Sequence, residues 1–402
     1  MEEAFCTEIF IPRTRREALT LPQGHKWQEA MDKEIENMET RQAWTPVLKT
    51  PDIDKVIGIR WVFTLKNKDK KNKYKARLVA LGNKQREGID YNETYSPVVN
   101  FTLIRLFFAI FICILHWHHG LLDVKSAYLY GKVDKDLYIS QPTGCEIKGK
   151  ENYVLKLNKA LYGLHQAGRC WFEELYHKLI SNVFSEIPGL TCIYLYNKEA
   201  IIMVYVDGLP IFAKDKNTLT KITHLLENLY DVENLGPITQ FLGIKFHYTN
   251  ENVMMECKQY IESCMKQFNV YNHTKISLPL CPNSVASLQE TPTTDEEKEY
   301  MKSKPYRNLL GCLLYISGRC RPDLNHAVIS LSQVSENPGR VHWNRLVKLL
   351  KYLDTTKDLA LNLPFDDSPL QLVAYCDASW ASGFVIQGLV TLLIELFELF
   401  ES

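Results

Sequence analysis

The chain carries no net charge, because 47 lysines and arginines are matched by 47 aspartates and glutamates. With no overall basic field, any hold on a polyanion has to come from local clustering. Long hydrophobic runs are also missing. The longest, Leu106 to Leu115, is too short to cross a bilayer and suits a buried helix. Met1-Glu2-Glu3 is acidic where a secretory leader is basic, so no leader and no membrane partner are expected. The 11 cysteines contain no Cys-x-x-Cys, and no histidine stands at zinc-finger spacing from Cys257 and Cys264. Reduced thiols in a cytoplasmic or nuclear protein are expected. There is no internal repeat. His116, His118 and His119 follow the apolar run, but neighbouring helical residues diverge, so a solvent-facing capping cluster is expected rather than a metal site.

What is present is an ordinary globular composition, 46% hydrophobic and 23% charged over 402 residues, with room for two to four domains. Between Arg60 and Arg86 lie Lys66, Lys68, Lys70, Lys71, Lys73, Lys75, Arg77 and Lys84, opposed only by Asp69. That density suits phosphate neutralisation, and it equally suits a solvated hairpin tip.

Trp27, Met31, Ile35 and Met38 recur at helical spacing and predict a helix over Gly24 to Thr40. Apolar, partly β-branched runs at Ile59 to Leu65 and Ala76 to Leu81 predict a hairpin with a basic tip. Further helices are expected over Thr102 to Leu115, Ala167 to Leu179, Thr218 to Tyr230 and Lys258 to Phe268. Strands are expected at Gly120 to Val124, Tyr153 to Leu157, Ile193 to Tyr196, Ile201 to Val206, Ile211 to Ala213 and Phe241 to Tyr248. Pro279 to Glu296 reads as a linker, followed by a mostly helical region from Tyr300 to Leu361. The mixture predicts an α+β fold.

Two carboxylates end apolar, strand-like runs. Asp123 opens Asp123-Val124-Lys125-Ser126-Ala127-Tyr128, and Asp207 closes Tyr205-Val206-Asp207. A carboxylate pair on strand ends is the minimum ligand set for a paired-metal phosphoryl-transfer site. Asp207-Gly208 is also a sufficient signal for a type I′ turn with no metal role, and Pro210 then falls near the start of the return strand.

Taken in order, the segments Trp27-Gln28-Glu29-Ala30-Met31, Arg60-Trp61-Val62-Phe63, Lys75-Ala76-Arg77-Leu78-Val79-Ala80, Gly88-Ile89-Asp90-Tyr91 and Ser96-Pro97-Val98 lead to Asp123 through Gly131. They are followed by Leu161-Tyr162-Gly163-Leu164-His165-Gln166, Tyr205-Val206-Asp207, Phe241-Leu242-Gly243-Ile244, Tyr306-Arg307 with Gly311, and Arg321-Pro322-Asp323. In this order the chain resembles the reverse transcriptase of copia-type retrotransposons, part of a Pol polyprotein. The resemblance implies a right-hand polymerase fold: an N-terminal remnant over 1–20, fingers over 21–97, palm over 98–250, thumb and linker over 251–290 and a helical connection region over 291–374. Tyr375-Cys376-Asp377-Ala378-Ser379 resembles the start of a ribonuclease H domain, truncated within 375–402. The poor match of Gly383 to Ser402 is what a frameshift, a splice artefact or a truncation would leave. The absence of a protease block and of an integrase zinc pattern implies a polyprotein fragment.

The resemblance also implies roles. Asp123 and Asp207 would bridge two Mg2+ ions, with the Val124 carbonyl as a further ligand. Arg77, and more weakly Lys66, would hold the triphosphate. Tyr128 would exclude a 2′-hydroxyl, Gln166 would contact the incoming deoxynucleoside triphosphate, and Phe241, Leu242, Gly243 and Ile244 would grip the primer on an RNA or DNA template. The family's second aspartate is Gly208 here, and its usual lysine and proline are His165 and Gly168. This copy is therefore expected to be impaired. The alternative expectation is a non-catalytic remnant, either a pseudogene product or a nucleic-acid-binding protein.

Overall fold

The structure is a computed structural model. It describes residues 10–68, 71–271, 273–280 and 290–368, with the backbone alone at 66–68 and 71. The Lys66 side chain, the hairpin tip, residues 281–289 of the expected linker and the ribonuclease H-like start lie outside the described residues.

The expected first helix is Gly24–Thr40, and it buries Trp27, Met31 and Met38. It backs a hairpin of Ile59–Lys68 and Lys71–Ala80, in which Trp61 opposes Leu78 and Phe63 opposes Ala76. Trp27 meets Phe63 and Tyr74 edge to face at 5.3 and 4.6 Å, so the hairpin's inward row sits on the helix. A small sheet in the order Trp44–Leu48, Tyr153–Leu157, Tyr138–Ile139 completes this part. Its core also takes in Leu129, Leu161, Leu164 and Cys170.

The second core surrounds a six-stranded antiparallel sheet. Its order is Val232–Asn234, His118–Val124, Gly208–Ala213, Ala200–Met203, Leu190–Tyr196, Phe184–Ile187. Helix Ala167–Ser181 and helix Lys216–Leu229, the latter capped by Asp215 on the Asn217 and Thr218 N–H groups, pack against this sheet. Pro210 is tolerated inside it because the neighbour Ala200–Met203 pairs only from Ile211 onward.

Four expectations change. The helix expected over Thr102 to Leu115 is α-helical only over Phe101–Phe107. It then widens over Phe108–Ile114, where the Leu115 N–H reaches back to the Ile110 carbonyl. The widening accompanies a crowd of rings, with Phe107, Phe108 and Phe111 all packed on Phe212. Strand Ile201 to Val206 stops at Met203. The single strand expected over Phe241 to Tyr248 is two, Gln240–Phe241 and Ile244–Tyr248, reversed by Leu242 and Gly243 with φ of +48° and +73°. The mostly helical region supplies helices Asp295–Lys302, Tyr306–Arg319, Asn325–Ser332 and Arg340–Thr355. It then ends in a strand, Leu361–Pro364, which pairs with Asn252–Glu256 and closes a four-stranded sheet.

Candidate nucleotidyl-transfer site

Asp123 and the Asp207-Gly208 step lie on neighbouring strands of the six-stranded sheet. Gly208 is directly opposite Asp123 in the register, and the Val124 N–H donates to the Asp207 carbonyl at 2.8 Å. Both carboxylate-bearing residues are half-buried. The sheet therefore brings the two sequence candidates together at one end of adjacent strands.

The turn itself differs from the expectation. Tyr205 and Gly208 exchange both backbone hydrogen bonds at 3.0 Å, so the two-residue tip is Val206-Asp207. Val206 has φ +57°, while Asp207 and Gly208 are not left-handed. Positive φ at the first central residue alone is the type II′ pattern, which normally takes glycine there. A β-branched residue in that position is strained. The Trp171 Nε1–H donates to the Val206 carbonyl at 2.6 Å and holds the turn from helix Ala167–Ser181. Gly208 is not required by φ, and a Cβ there would meet the Phe241 ring at 3.0 Å, close enough that the ring would have to shift by a few tenths of an ångström.

Arg77 approaches from the hairpin. Its guanidinium lies over the Tyr162 ring at 5.2 Å, and Tyr162 packs on Tyr128 with centroids 4.8 Å apart. Burial raises the Tyr162 phenol to about 12, with Arg77 opposing the rise and Asp207 adding to it. Tyr128 is raised by burial and by Asp207, again against Arg77. The ring contacts thus join Arg77, Tyr162 and Tyr128, and the Asp207 charge is felt by both phenols. Glu34 lies behind them, its pKa raised by burial against the Leu78 N–H, Lys75 and Arg77.

Gln166, expected to contact the incoming nucleotide, faces protein partners in the structure. It is buried, its Oε1 accepts from the Gln85 amide at 2.9 Å, and its Nε2 donates to the Asp90 carbonyl at 3.0 Å. Phe241, Leu242, Gly243 and Ile244 form the tight reversal beside Gly208, and Tyr205 meets Phe241 edge to face at 6.2 Å. The histidines do not form the expected solvent-facing cluster. His116 and His118 are exposed, but His119 is tucked in, and its Nδ1 accepts from the Ile238 N–H at 3.1 Å. Among the described residues no group of three His, Cys, Asp or Glu side chains is set to hold a metal ion.

Sequence reasoning assigned no role to Tyr162 or Trp171. Tyr162 lies in the Leu161 to Gln166 segment next to Gly163, and that adjacency is the available signal. Nothing in the sequence pointed from Trp171 to Val206, 35 residues away.

An α+β chain with two carboxylates on adjoining strand ends and a helix-backed hairpin beside them has the layout of the right-hand polymerases. It belongs to the reverse transcriptase (RNA-dependent DNA polymerase) family, whose model matches residues 41–282. The Retrovirus-related Pol polyprotein from transposon TNT 1-94 of Nicotiana tabacum is 35% identical over 92% of this chain and 28% of its own length. The corresponding polyprotein from transposon RE1 of Arabidopsis thaliana is 35% identical over 92% of this chain and 25% of its own. The copia-type resemblance is thus shown, and the chain spans only those fractions of its relatives. A solved foamy viral protease-reverse transcriptase in complex with double-stranded DNA aligns with 81% of this chain and 48% of that one. Its TM-score is 0.36 and its identity 12%, too loose a likeness to build on.

Proposed function

We propose that this chain is the reverse transcriptase segment of a copia-type Pol polyprotein and that its RNA-directed DNA synthesis is weakened by Gly208. The observation that carries this reading is the register of Asp123 opposite Gly208, with Asp207 one residue before it on the turn. A third carboxylate at Gly208 would complete the group on the same face as Asp123, since directly opposed residues share a face.

The fit to two Mg2+ ions is partial. Asp123, Asp207 and the Val124 carbonyl are hard oxygen donors of the right kind, but two carboxylates stand where the family has three. Bound Mg2+ supplies charge neutralisation for the triphosphate and activation of the primer hydroxyl. The chain's own residues do the rest. Arg77, over the Tyr162 ring, presents a planar fork to phosphate oxygens. Tyr128 presents its ring where a ribose 2′-hydroxyl would have to pass. Phe241 through Ile244 support the primer end, and the basic hairpin lies along template-primer phosphates.

The test is single-nucleotide primer extension on primed RNA with Mg2+. Wild type extends slowly or not at all, and Gly208→Asp extends faster by about two orders of magnitude, the scale on which one preorganised charged group acts. Asp123→Ala abolishes extension in both. Brisk wild-type extension that needs Asp123 would show that Gly208 is tolerated. A folded Gly208→Asp that stays inactive would favour the non-catalytic reading.

A further inference from the structure

A cleft of about 760 Å³ opens where the end of helix Gly24–Thr40, the chain after Tyr130 and the chain after strand Tyr153–Leu157 meet. None of its lining residues belongs to the site built around Asp123 and Asp207. Four cations line it: Arg41, Lys132, Lys135 and Lys159. The lining carboxylates are Asp134 and Asp136, and Asp136 is already paired with Lys156 at 2.8 Å. The volume is that of a small-molecule site.

The cations are held in place. Lys132 and Lys159 oppose each other across an antiparallel β-bridge. Directly opposed residues share a face, and like charges there repel. The Lys159 ammonium donates to the Tyr130 carbonyl at 2.8 Å, and the Arg41 guanidinium lies over the Tyr130 ring at 4.4 Å. Tyr130 thus anchors two of the four. Arg41 spends its Nε on the Asn37 Oδ1 at 2.8 Å, and its Nη2 reaches Asp231, which Lys125 holds at 2.8 Å, only at 3.5 Å. Lys159 has its pKa lowered by burial, opposed by Glu174 and reinforced by Lys132 and Lys178. Among the described residues Lys132, Lys135 and Lys159 have no carboxylate partner. Crowded like charges with unspent N–H donors are relieved by an anion.

The walls say which anion. Asn158 spends its amide on the Gln42 carbonyl at 3.1 Å and the Thr45 hydroxyl at 3.0 Å, so it has little left for a ligand. Among the described residues, none that lines the cleft is aromatic, so no face is offered to a base. Recognition falls to the cations, and a single phosphate cannot engage all four.

We propose that this cleft binds a compact polyphosphate, a solute with several phosphate groups close together and no required base. The proposal does not depend on the polymerase reading, and its test needs no catalysis. Inorganic tripolyphosphate and inositol hexakisphosphate are titrated calorimetrically, without Mg2+, into wild type, Lys132→Gln, Lys135→Gln and Lys159→Gln, each shown to be folded by thermal melting. Lys266→Gln, in the last turn of helix Lys258–Gln267, and Arg77→Gln are the comparison variants. Both probes are expected to bind wild type and to compete for one site. Each cleft variant is expected to weaken binding about tenfold, the worth of one charge-assisted contact. Lys266→Gln and Arg77→Gln keep the polyphosphate affinity. A preference for the linear or the cyclic probe identifies the source of the phosphates.

No binding by wild type overturns the site. So do equal losses in Lys266→Gln, which would mean diffuse charge, and losses confined to Arg77→Gln, which would place the probe at the nucleotide position. A single-stranded oligonucleotide or dATP that binds more tightly than either probe and shares the cleft-variant losses also overturns it. If Lys159→Gln fails to melt cooperatively, the exposed Lys132→Gln decides by the same criteria.

Discussion

Val206 concentrates the residue-scale argument. A valine at φ +57° is a costly conformation, and it persists because neighbours hold it. The Trp171 Nε1–H fixes its carbonyl, and the Tyr205–Gly208 bonds close the turn around it. The strain aims the Asp207 backbone at the Val124 N–H and so sets Asp207 next to Asp123. Val206→Gly removes the steric strain, of order 1–3 kcal/mol. It adds unfolded-state freedom worth about 0.5–1 kcal/mol in the other direction. The variant is therefore expected to be more stable by up to about 2 kcal/mol, read as a raised urea midpoint with unchanged m. A lowered midpoint would show that the turn is unstrained. Gly208 is a different case. Its backbone is not left-handed, so the tight contact of Gly208→Asp is with the Phe241 ring, which has to give way by a few tenths of an ångström, while the Tyr205 carbonyl oxygen stays at an ordinary 3.5 Å from the new Cβ.

At the scale of elements, the hairpin's position depends on a backbone-to-backbone contact at its base. The Ala80 N–H donates to the Tyr162 carbonyl at 2.7 Å. Gly163 follows at φ +91°, with a would-be Cβ 2.2 Å from the Ala80 carbonyl oxygen, and a Cβ on Gly82 would lie 2.0 Å from the Gly163 carbonyl oxygen. Only glycine at both positions lets the two chains approach, and the approach brings Arg77 over Tyr162. Gly163→Ala is expected to cost about 1–3 kcal/mol from backbone strain alone. It should also speed hydrogen exchange first at the 76–80 amides. Unchanged protection there would mean that the hairpin is held by Trp27 and not by the loop. The hairpin strands and their helix were readable because alternation and helical spacing mark a buried face, as Trp61 with Leu78 and Trp27 with Met31 show. The Leu242-Gly243 reversal was hidden by a run of apolar residues. Strand Leu361–Pro364 was hidden because its partner, Asn252–Glu256, lies about a hundred residues earlier and pairing at that range leaves no local pattern. Asp123 and Asp207 could be paired from their segments. The burial of Gln166 could not, since its partners Gln85 and Asp90 are distant in sequence.

Across the whole molecule, one continuous core runs from Val99 to Leu353 and joins the six-stranded sheet, the four-stranded sheet and the C-terminal helices. His119 sits on the seam between the two sheets. It lies on strand His118–Val124, stacks on Tyr248 of the four-stranded sheet at 5.0 Å, and accepts from the Ile238 N–H. That acceptance requires an unprotonated Nδ1. Burial, and then the charge of His118, lowers the His119 pKa from 6.5 to about 4. The sign follows from proton counting: between those values the unfolded chain binds a proton that the folded one does not, so stability falls as pH drops through that window. The shift is worth about 1–3 kcal/mol once partial exposure is allowed for. His119→Asn keeps an acceptor for Ile238 without a titrating ring. It is expected to be less stable than wild type near neutral pH, because a stacked ring is lost, and to lose less stability on acidification. Urea unfolding at about pH 7 and about pH 4.5 measures both slopes. Parallel slopes would remove His119 from the acid sensitivity and leave it to carboxylates such as Asp90, whose pKa is lowered by Arg86 and Lys55 against its own burial.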